Sequence, residues 1–237
     1  MSDLRIIAIA AGRGGTGKST LTFGIAHTLH ELKGMDDVAM LDLDPQAGLT
    51  TRAGKTPVAD PIHEPPVDVF GIALYRGGRG LAHATDAQIA AHIDRAVTEG
   101  SPDRVVVADM PPALHDRVHR LVFDREDAFV LGAIRCEPDS FHSMNELVAQ
   151  VGRAGRPYVL VPTFHAKKNA QNATLLALQS QHHGHVTETL IPQDNKAVDC
   201  VLTRQPVTRF AKKSKIALAI SALLDEVLAT ETVDSGS

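Results

Sequence analysis

The sequence predicts a single α/β domain built on a mostly parallel, twisted β-sheet with helices on both faces. Short, nearly continuous apolar runs alternate with longer amphipathic stretches, which is the pattern of strands buried between two helical layers. The chain has 237 residues, of which 43% are hydrophobic and 22% charged, as is usual for a globular domain with a substantial core. No internal repeat and no long linker divides it, so we expect one domain over residues 1–237.

Six apolar runs are predicted strands, at residues 6–11, 38–42, 67–74, 105–108, 128–134 and 158–161. Helices are predicted at residues 19–32, 86–97, 140–151, 173–180 and 216–228. Residues that commonly end helices stand before three of the predicted strands: Gly34, Ser101 with Pro102, and residues 155–157. Residues 51–66 are rich in Pro and Gly and are expected to form an exposed connection. The polar tail from about residue 230 to 237 is expected to be disordered.

The composition excludes several classes of protein. The net charge is −4, whereas a protein that coats nucleic acid over its whole surface is strongly basic, so any DNA contact must use a local patch. Cys136 and Cys200 are the only cysteines, too few for a disulfide framework or a four-cysteine metal site. The first apolar run is too short for a signal peptide, no run approaches the roughly 20 residues of a membrane span, and the tail is acidic. We therefore expect a cytoplasmic protein without a membrane partner.

The first chemical motif follows the first predicted strand and precedes a predicted helix, the context that the phosphate-loop spacing G-x-x-x-x-G-K-[ST] requires. Glycines let backbone N–H groups surround phosphate oxygens, and the positive end of the helix adds a favourable field. Lys18 is expected to contact the β- and γ-phosphates of ATP or ADP, and the Ser19 hydroxyl to ligate Mg²⁺. A glycine-rich turn without a ligand is the simpler alternative, which the flanking strand and helix disfavour. The segment's predicted nucleotide-binding residues are Gly12, Arg13, Gly14, Gly15, Thr16, Gly17, Lys18, Ser19 and Thr20.

A second motif supplies the carboxylate that a P-loop NTPase needs near Mg²⁺. The run Val-Val-Val-Ala ends at Asp109 and is followed by Met110, Pro111 and Pro112. The two prolines cannot continue a strand ladder, so the chain must turn there and leave Asp109 at the carboxyl edge of the sheet. Ligands of open α/β sheets bind at that edge. Asp109 is therefore predicted to support Mg²⁺.

The third motif, Asp-Leu-Asp-Pro-Gln at residues 42–46, places two carboxylates at a strand end. Period-two alternation predicts that Asp42 and Asp44 lie on the same side, facing the nucleotide. One of them is expected to orient the attacking water and the other to support the Mg²⁺ shell. In solvent they would be ordinary capping acids.

Together the three motifs resemble those of the ParA/MinD family of ATPases with a deviant Walker A motif, and more closely its ParA branch, which partitions DNA and other cargo. Members carry K-G-G-x-G-K-[ST], D-x-D-P-Q and D-x-P-P in that order, and this chain carries R-G-G-T-G-K-S, D-L-D-P-Q and D-M-P-P. The resemblance continues through residues 135–140, 161–164, 191–196, 205–207 and the last predicted helix. Residues 51–100 match weakly.

The resemblance implies an ATP-dependent switch. ATP lies between two subunits of a homodimer, the dimer binds nonspecific DNA of the nucleoid, and a ParB-like or other partner protein stimulates slow hydrolysis and release. By position, Lys18 is the phosphate lysine, Ser19 the Mg²⁺ ligand and Asp109 the acid behind it, with Asp42 also assigned to the metal. Asp44 is the carboxylate that orients water. Pro192 belongs to the loop that flanks the adenine.

One residue departs from the family pattern. The signature lysine, which reaches across the dimer to the partner's phosphates, is Arg13 in this chain. Arginine keeps the positive charge and can hold phosphate oxygens with two parallel bonds, so we assign Arg13 to catalysis as well as to nucleotide binding. The alternative is a solvated loop charge.

A basic region lies near the C-terminus. Residues 164–215 contain eight Lys or Arg residues and three acidic residues, and nonspecific duplex binding needs such phosphate contacts. The family's DNA-binding residues also lie in these segments. An ordinary solvated face is the alternative. Besides Lys167, the region contains the residues assigned to DNA: Lys168, Lys196, Arg204, Arg209, Lys212, Lys213 and Lys215.

Other functions are known on the same scaffold. An ATP-dependent ligase or amidotransferase is compatible with the phosphate loop, although the Asp-Leu-Asp-Pro-Gln motif and the basic region favour partition. An iron protein needs paired cysteines for a shared Fe–S cluster, which Cys136 and Cys200 do not reproduce. A membrane-cycling positioning protein is disfavoured by the acidic tail. A nucleotide-binding switch without hydrolysis is left open by Arg13.

Overall fold

The computed structural model describes residues 4–112, 117–166 and 168–234, with side chains as far as residue 229. Within these residues, seven strands form one sheet in the order β3-β4-β2-β5-β1-β6-β7. Only the pairing of β3 with β4 is antiparallel, which confirms the predicted, mostly parallel α/β fold. The strands are β1 Ile6–Ala10, β2 Val38–Asp42, β3 Val67–Val69, β4 Ile72–Tyr75, β5 Val105–Asp109, β6 Ala128–Arg135 and β7 Tyr158–Thr163.

The helices cover both faces of this sheet. Alternate residues of the central strands enter two separate cores, because successive side chains of a strand point to opposite faces. Helices α1, α2, α7, α8 and α9 pack on one face, and α3, α4 and α5 on the other. The helices are α1 Lys18–Glu31, α2 Gly48–Arg52, α3 Asp86–Thr98, α4 Arg117–Phe123, α5 Ser140–Ala154, α6 Asn169–Gln181, α7 Lys196–Thr203, α8 Val207–Phe210 and α9 Lys215–Asp234.

The three central strands position the functional edge. Strand β1 lies between β5 and β6, and β2 lies on the other side of β5. The register pairs Asp42 at the end of β2 with Asp109 at the end of β5. All residues of β1, β2 and β5 are buried. Strands that are buried on both faces of a sheet appear as nearly continuous apolar runs, which is why the sequence predicted these three. The parallel arrangement brings the three motifs to the same carboxyl edge.

The predicted strand at 67–74 is wrong in one respect, because these residues form a β-hairpin. Strands β3 and β4 run antiparallel and are joined at Phe70 and Gly71, which both have positive φ angles of 58° and 82°. The Gly71 amide donates to the Asp68 carboxylate at 3.0 Å. Two consecutive left-handed residues are typical of a tight hairpin turn. The apolar run hid this turn because Phe70 is an unusual residue for a left-handed conformation.

Short helices were also missed. Helix α2 begins just before the predicted connection at 51–66 and enters it, and α4, α7 and α8 have seven, eight and four residues. Helices of this length are stabilised by tertiary contacts more than by local propensity, so they leave a weak sequence pattern. Helix α9 continues to Asp234, so the backbone of residues 230–234 is helical where disorder was expected. Residues 235–237 of the predicted tail lie outside the described residues.

Over the ranges that the structure covers, no helix combines the length and the apolar character that crossing a bilayer requires.

The packing of α9 against α1 gives a test of the fold. Leu223 is fully buried in the core on the α1 side of the sheet, whereas Leu218 on the same helix is 59% exposed. We predict that Leu223→Ala lowers the free energy of unfolding by about 2–5 kcal/mol, because it leaves a cavity. The control Leu218→Ala should change this free energy by less than about 0.5 kcal/mol. Urea unfolding measures both, and equal losses would show that α9 does not pack as described.

Candidate functional site

The glycine-rich loop connects β1 to α1 at the carboxyl edge of the sheet. Gly17 is the N-cap of α1, has a φ of 92° and makes no side-chain capping bond, so the first turn of the helix presents its amide groups without a cap. Gly12 lies against α5, where a Cβ atom would overlap the backbone and side chain of Ser143. A left-handed φ and close backbone approach explain why glycine is required at these two positions. The loop is therefore shaped to receive an anion.

Lys18 supplies an uncompensated charge beneath this loop. Its residue is only 8% exposed, and burial lowers the pKa of the ammonium group, although Asp109 and Asp44 oppose that shift. Among the described residues, no carboxylate lies within 4.0 Å of Lys18. The Thr16 hydroxyl is also buried and has no hydrogen-bond partner there. A buried cation beside uncapped amides and a free hydroxyl fits the phosphates of a nucleotide.

Ser19 and Asp109 provide oxygen ligands that suit Mg²⁺. The Ser19 hydroxyl donates to Asp109 Oδ2 at 2.6 Å, and Asp109 ends β5 as its sequence context indicated. Burial raises the pKa of the Asp109 carboxyl above its usual range, while the bond from Ser19 and the charge of Lys18 act in the opposite direction. The hydroxyl could bind a small divalent cation directly and the carboxylate could hold one of its water ligands, which leaves most positions for water and phosphate oxygens, as Mg²⁺ prefers.

The two carboxylates of the third motif do not share one side of a strand. Strand β2 ends at Asp42, which is fully buried, whereas Asp44 lies in the following turn and is partly exposed. Asp42 Oδ2 accepts bonds from the Thr50 amide at 2.8 Å and from its hydroxyl at 2.7 Å, and Oδ1 accepts from the Asp44 amide at 3.2 Å. Burial, followed by the charge of Asp109, raises the pKa of Asp42. Asp42 thus holds α2 and the turn that carries Asp44, and its assignment to Mg²⁺ stays a prediction.

An apolar cleft adjoins the phosphate loop. Thr16, Gly17 and Thr20 line it together with Pro192 and the start of α7, and the assignment of Pro192 to the adenine stays a prediction. Phe164 also lines this cleft and was missed by the sequence analysis. It has a φ of 55°, unusual for an aromatic residue, and a Cβ on Gly17 would contact its ring at 3.4 Å. The sequence signal was its place at the end of the segment 161–164, which resembles the family.

Arg13 is bound within its own subunit. Its guanidinium donates from Nη2 to Glu137 Oε2 and from Nη1 to Asp139 Oδ2, both at 2.6 Å, and the side chain is 29% exposed. The hydrogen bond from Arg13 lowers the pKa of Asp139. The simple alternative of a solvated loop charge therefore does not describe Arg13 in this structure. Its predicted reach toward a second subunit stays a prediction.

The structure gathers some of the predicted DNA-binding residues and separates others. Lys196, Lys212, Lys213 and Lys215 line one open groove beside the start of α9. The remaining arginines contact other elements: Arg204 donates to the Thr51 carbonyl at 3.2 Å, and the Arg209 guanidinium lies 4.7 Å from the centre of the Phe70 ring.

Lys168 stands apart from this groove, exposed at the N-cap of α6. Lys167 lies outside the described residues.

The unpaired charge of Lys18 gives a test of the site. We predict that Lys18→Met abolishes binding of Mg²⁺-ATP and leaves the melting temperature of the nucleotide-free protein unchanged or higher, because the variant removes a buried cation that has no carboxylate partner. Calorimetry and thermal unfolding measure the two effects. The control Lys33→Met, beyond the other end of α1, should bind ATP like the wild type. A Lys18→Met protein that is less stable without nucleotide but binds ATP normally would show a structural lysine.

Known proteins share this architecture. The solved structure of the cell division ATPase MinD from Pyrococcus furiosus has 19% identity and a TM-score of 0.79, covering 97% of this chain and all of that one. An ATP complex of a McdA variant from Cyanothece has 13% identity and a TM-score of 0.76, covering 96% and 97%. Cobyrinic acid a,c-diamide synthase from Mycobacterium smegmatis, bound to an ATP analogue and magnesium, has 23% identity and a TM-score of 0.75, covering 95% and 94%. At these identities the likeness establishes the fold.

The sequence also matches a family model directly. No curated protein sequence matches the chain, but the model of the CobQ/CobB/MinD/ParA nucleotide binding domain matches residues 7–207. This range contains the phosphate loop, Asp44, Asp109 and the cleft at Pro192. The family expected from the ordered motifs is therefore confirmed: the chain belongs to the CobQ/CobB/MinD/ParA family of nucleotide-binding domains.

Proposed function

We propose that this protein is a ParA-like ATPase that works as a switch for partitioning cargo. In this proposal it binds ATP and Mg²⁺, forms a homodimer, and in that state binds nonspecific DNA of the nucleoid in the cytoplasm. A ParB-like or other adaptor protein stimulates slow hydrolysis, which releases the dimer from DNA. The observation that carries the proposal is the buried Lys18 near the Ser19–Asp109 pair, in a loop whose Thr16 and Gly17 line the apolar cleft.

The residues of the site have separate tasks in this function. The amides of the loop and Lys18 hold the β- and γ-phosphates, and the base lies in the cleft at Pro192. Ser19 and Asp109 hold Mg²⁺, which neutralises charge that develops on the phosphates. Asp44 stands beyond the end of β2, where its Oδ1 accepts the Gln46 amide at 2.8 Å. Its second carboxylate oxygen orients the attacking water and accepts its proton.

The hydrolytic part of the proposal is tested at Asp44. We predict that Asp44→Ala binds ATP like the wild type but hydrolyses it roughly a hundredfold more slowly, because the water is no longer oriented. Calorimetry and phosphate release under single-turnover conditions measure the two steps. The matched control is Asp36→Ala, at the amino end of β2, which should hydrolyse normally. Unchanged hydrolysis in Asp44→Ala would move this role to another group.

The DNA-binding part is tested at the lysine groove. We predict that charge reversal of Lys212 and Lys213 to Glu weakens ATP-dependent DNA binding on all sequences equally and lowers the slope of log affinity against log salt by about two. Nucleotide affinity should not change. The control Arg153→Glu changes charge by the same amount per residue on α5, in the opposite helical layer, and should bind DNA normally. DNA affinity that changes neither with salt concentration nor with the substitutions of Lys212 and Lys213 would exclude this groove as the DNA-binding surface.

These experiments also separate the competing functions. An amide-forming ligase would turn over ATP only with a carboxylic acid and an amine donor, and DNA or an adaptor would not change its rate. A switch without hydrolysis would bind ATP and dimerise but release no phosphate even with its partner. The lysine groove and the Asp44 turn favour the partition-type switch over both.

A further inference from the structure

Two carboxylates of the β6–α5 turn hold Arg13 at the phosphate loop. Glu137 accepts from one terminal nitrogen of the guanidinium and Asp139 from the other, each at 2.6 Å. Burial is incomplete, with 35% of the Glu137 side chain and 70% of the Asp139 side chain exposed. Both terminal nitrogens of Arg13 are therefore engaged inside one subunit.

The surrounding backbone keeps these groups together. Gly12, next to Arg13, touches Ser143 on α5 so closely that no Cβ would fit. The turn itself is ordered by hydrogen bonds from the Glu137 amide to the Arg135 carbonyl at 2.8 Å and from the Ser140 amide to the Glu137 carbonyl at 2.9 Å. The close contact of Gly12 with α5 and the hydrogen-bonded turn therefore hold the backbone of Arg13 near the backbone of Glu137 and Asp139.

We propose that Glu137 and Asp139 are positioning residues that retain Arg13 within its own subunit and thereby oppose formation of the ATP dimer. This inference rests on the ATP-bound homodimer of the proposed function and on the prediction that Arg13 reaches the phosphates of a second subunit. In this position the guanidinium lies between two carboxylates, whose negative charges would repel phosphate oxygens. A two-pronged contact with a partner's phosphate therefore requires Arg13 to leave the carboxylates, so the equilibrium between carboxylate-bound and partner-bound Arg13 contributes to the dimerisation constant.

The two carboxylates differ in their other contacts. Glu137 Oε1 also forms an ion pair with Arg135, 2.8 Å from Nη2, and the Arg135 guanidinium lies 4.6 Å from the centre of the Phe164 ring, which lines the apolar cleft. A substitution of Glu137 therefore disturbs groups that adjoin the nucleotide. Asp139 is the more exposed of the two and lies at the N-cap of α5 without a side-chain capping bond. Asp139 is accordingly the cleaner position for a test.

The experiment measures dimerisation with a nonhydrolysable ATP analogue and Mg²⁺ by sedimentation. We predict that Asp139→Asn lowers the dimer dissociation constant by roughly three- to thirtyfold, since one exposed ion pair is released in each of two subunits. The double variant Glu137→Gln/Asp139→Asn should lower it further. The gain should shrink at high salt, which screens the competing pairs. The matched control is Asp94→Asn on α3, which loses an ion pair with Arg125 and should dimerise like the wild type.

A second measurement separates positioning from a structural role. In an Arg13→Ala background, Asp139→Asn should have no effect on dimerisation, because its action passes through Arg13. An equal gain with and without Arg13, or weaker dimerisation of Asp139→Asn, would overturn the inference. A wild type that dimerises while Asp139→Asn changes nothing would leave the proposed function intact and refute the positioning role. If ATP binds but neither the wild type nor the Asp139→Asn and Glu137→Gln/Asp139→Asn variants dimerise, both the proposed function and this inference fail.

Discussion

The hydrogen bond between Ser19 and Asp109 joins the two halves of the site, and the rest of the arrangement depends on it. Ser19 follows β1 and Asp109 ends β5, so the bond exists only because these strands pair in parallel and in register. It places a buried carboxylate next to Lys18, a buried ammonium group. Burial opposes the charge on both groups, and their mutual attraction acts in the opposite direction. In the proposed function, the phosphates of a nucleotide would add counter-charge at Lys18, and Mg²⁺ would add counter-charge at Asp109.

The features around this bond lie on opposite faces of the sheet. The apolar cleft and the lysine groove adjoin the layer of α1 and α7–α9 and share the segment from Gln193 to Asn195. The turn before α5, in the other layer, holds Arg13. The phosphate loop lies between them. In the proposed function, a ligand at the loop would adjoin the groove through residues 193–195 and the two carboxylates through Arg13.

The buried strands and long helices were predictable because each produces a local pattern of apolar residues: a continuous run in a buried strand and a helical spacing in an amphipathic helix. Strands β1, β2 and β5 are apolar except for the aspartates that end β2 and β5, so few alternative assignments existed. The hairpin at Phe70 and Gly71 was not predictable in this way, because an apolar run shows no turn. Helix α8 gives another example: its Thr208 meets the buried His27 of α1 at 2.9 Å, a contact made across 181 residues of chain.

The sequence by itself determined the phosphate loop, the strand that ends at Asp109 and the family, since these depend on residue types at fixed local spacing. Only the tertiary structure decided that Arg13 contacts Glu137 and Asp139, and that the Asp42 carboxylate accepts from Thr50 while Asp44 lies beyond the end of the strand. It also decided which lysines share a groove and that Phe164 enters the cleft. The reason is physical: periodicity reports how a segment meets the core, whereas these contacts depend on how distant segments are packed against each other.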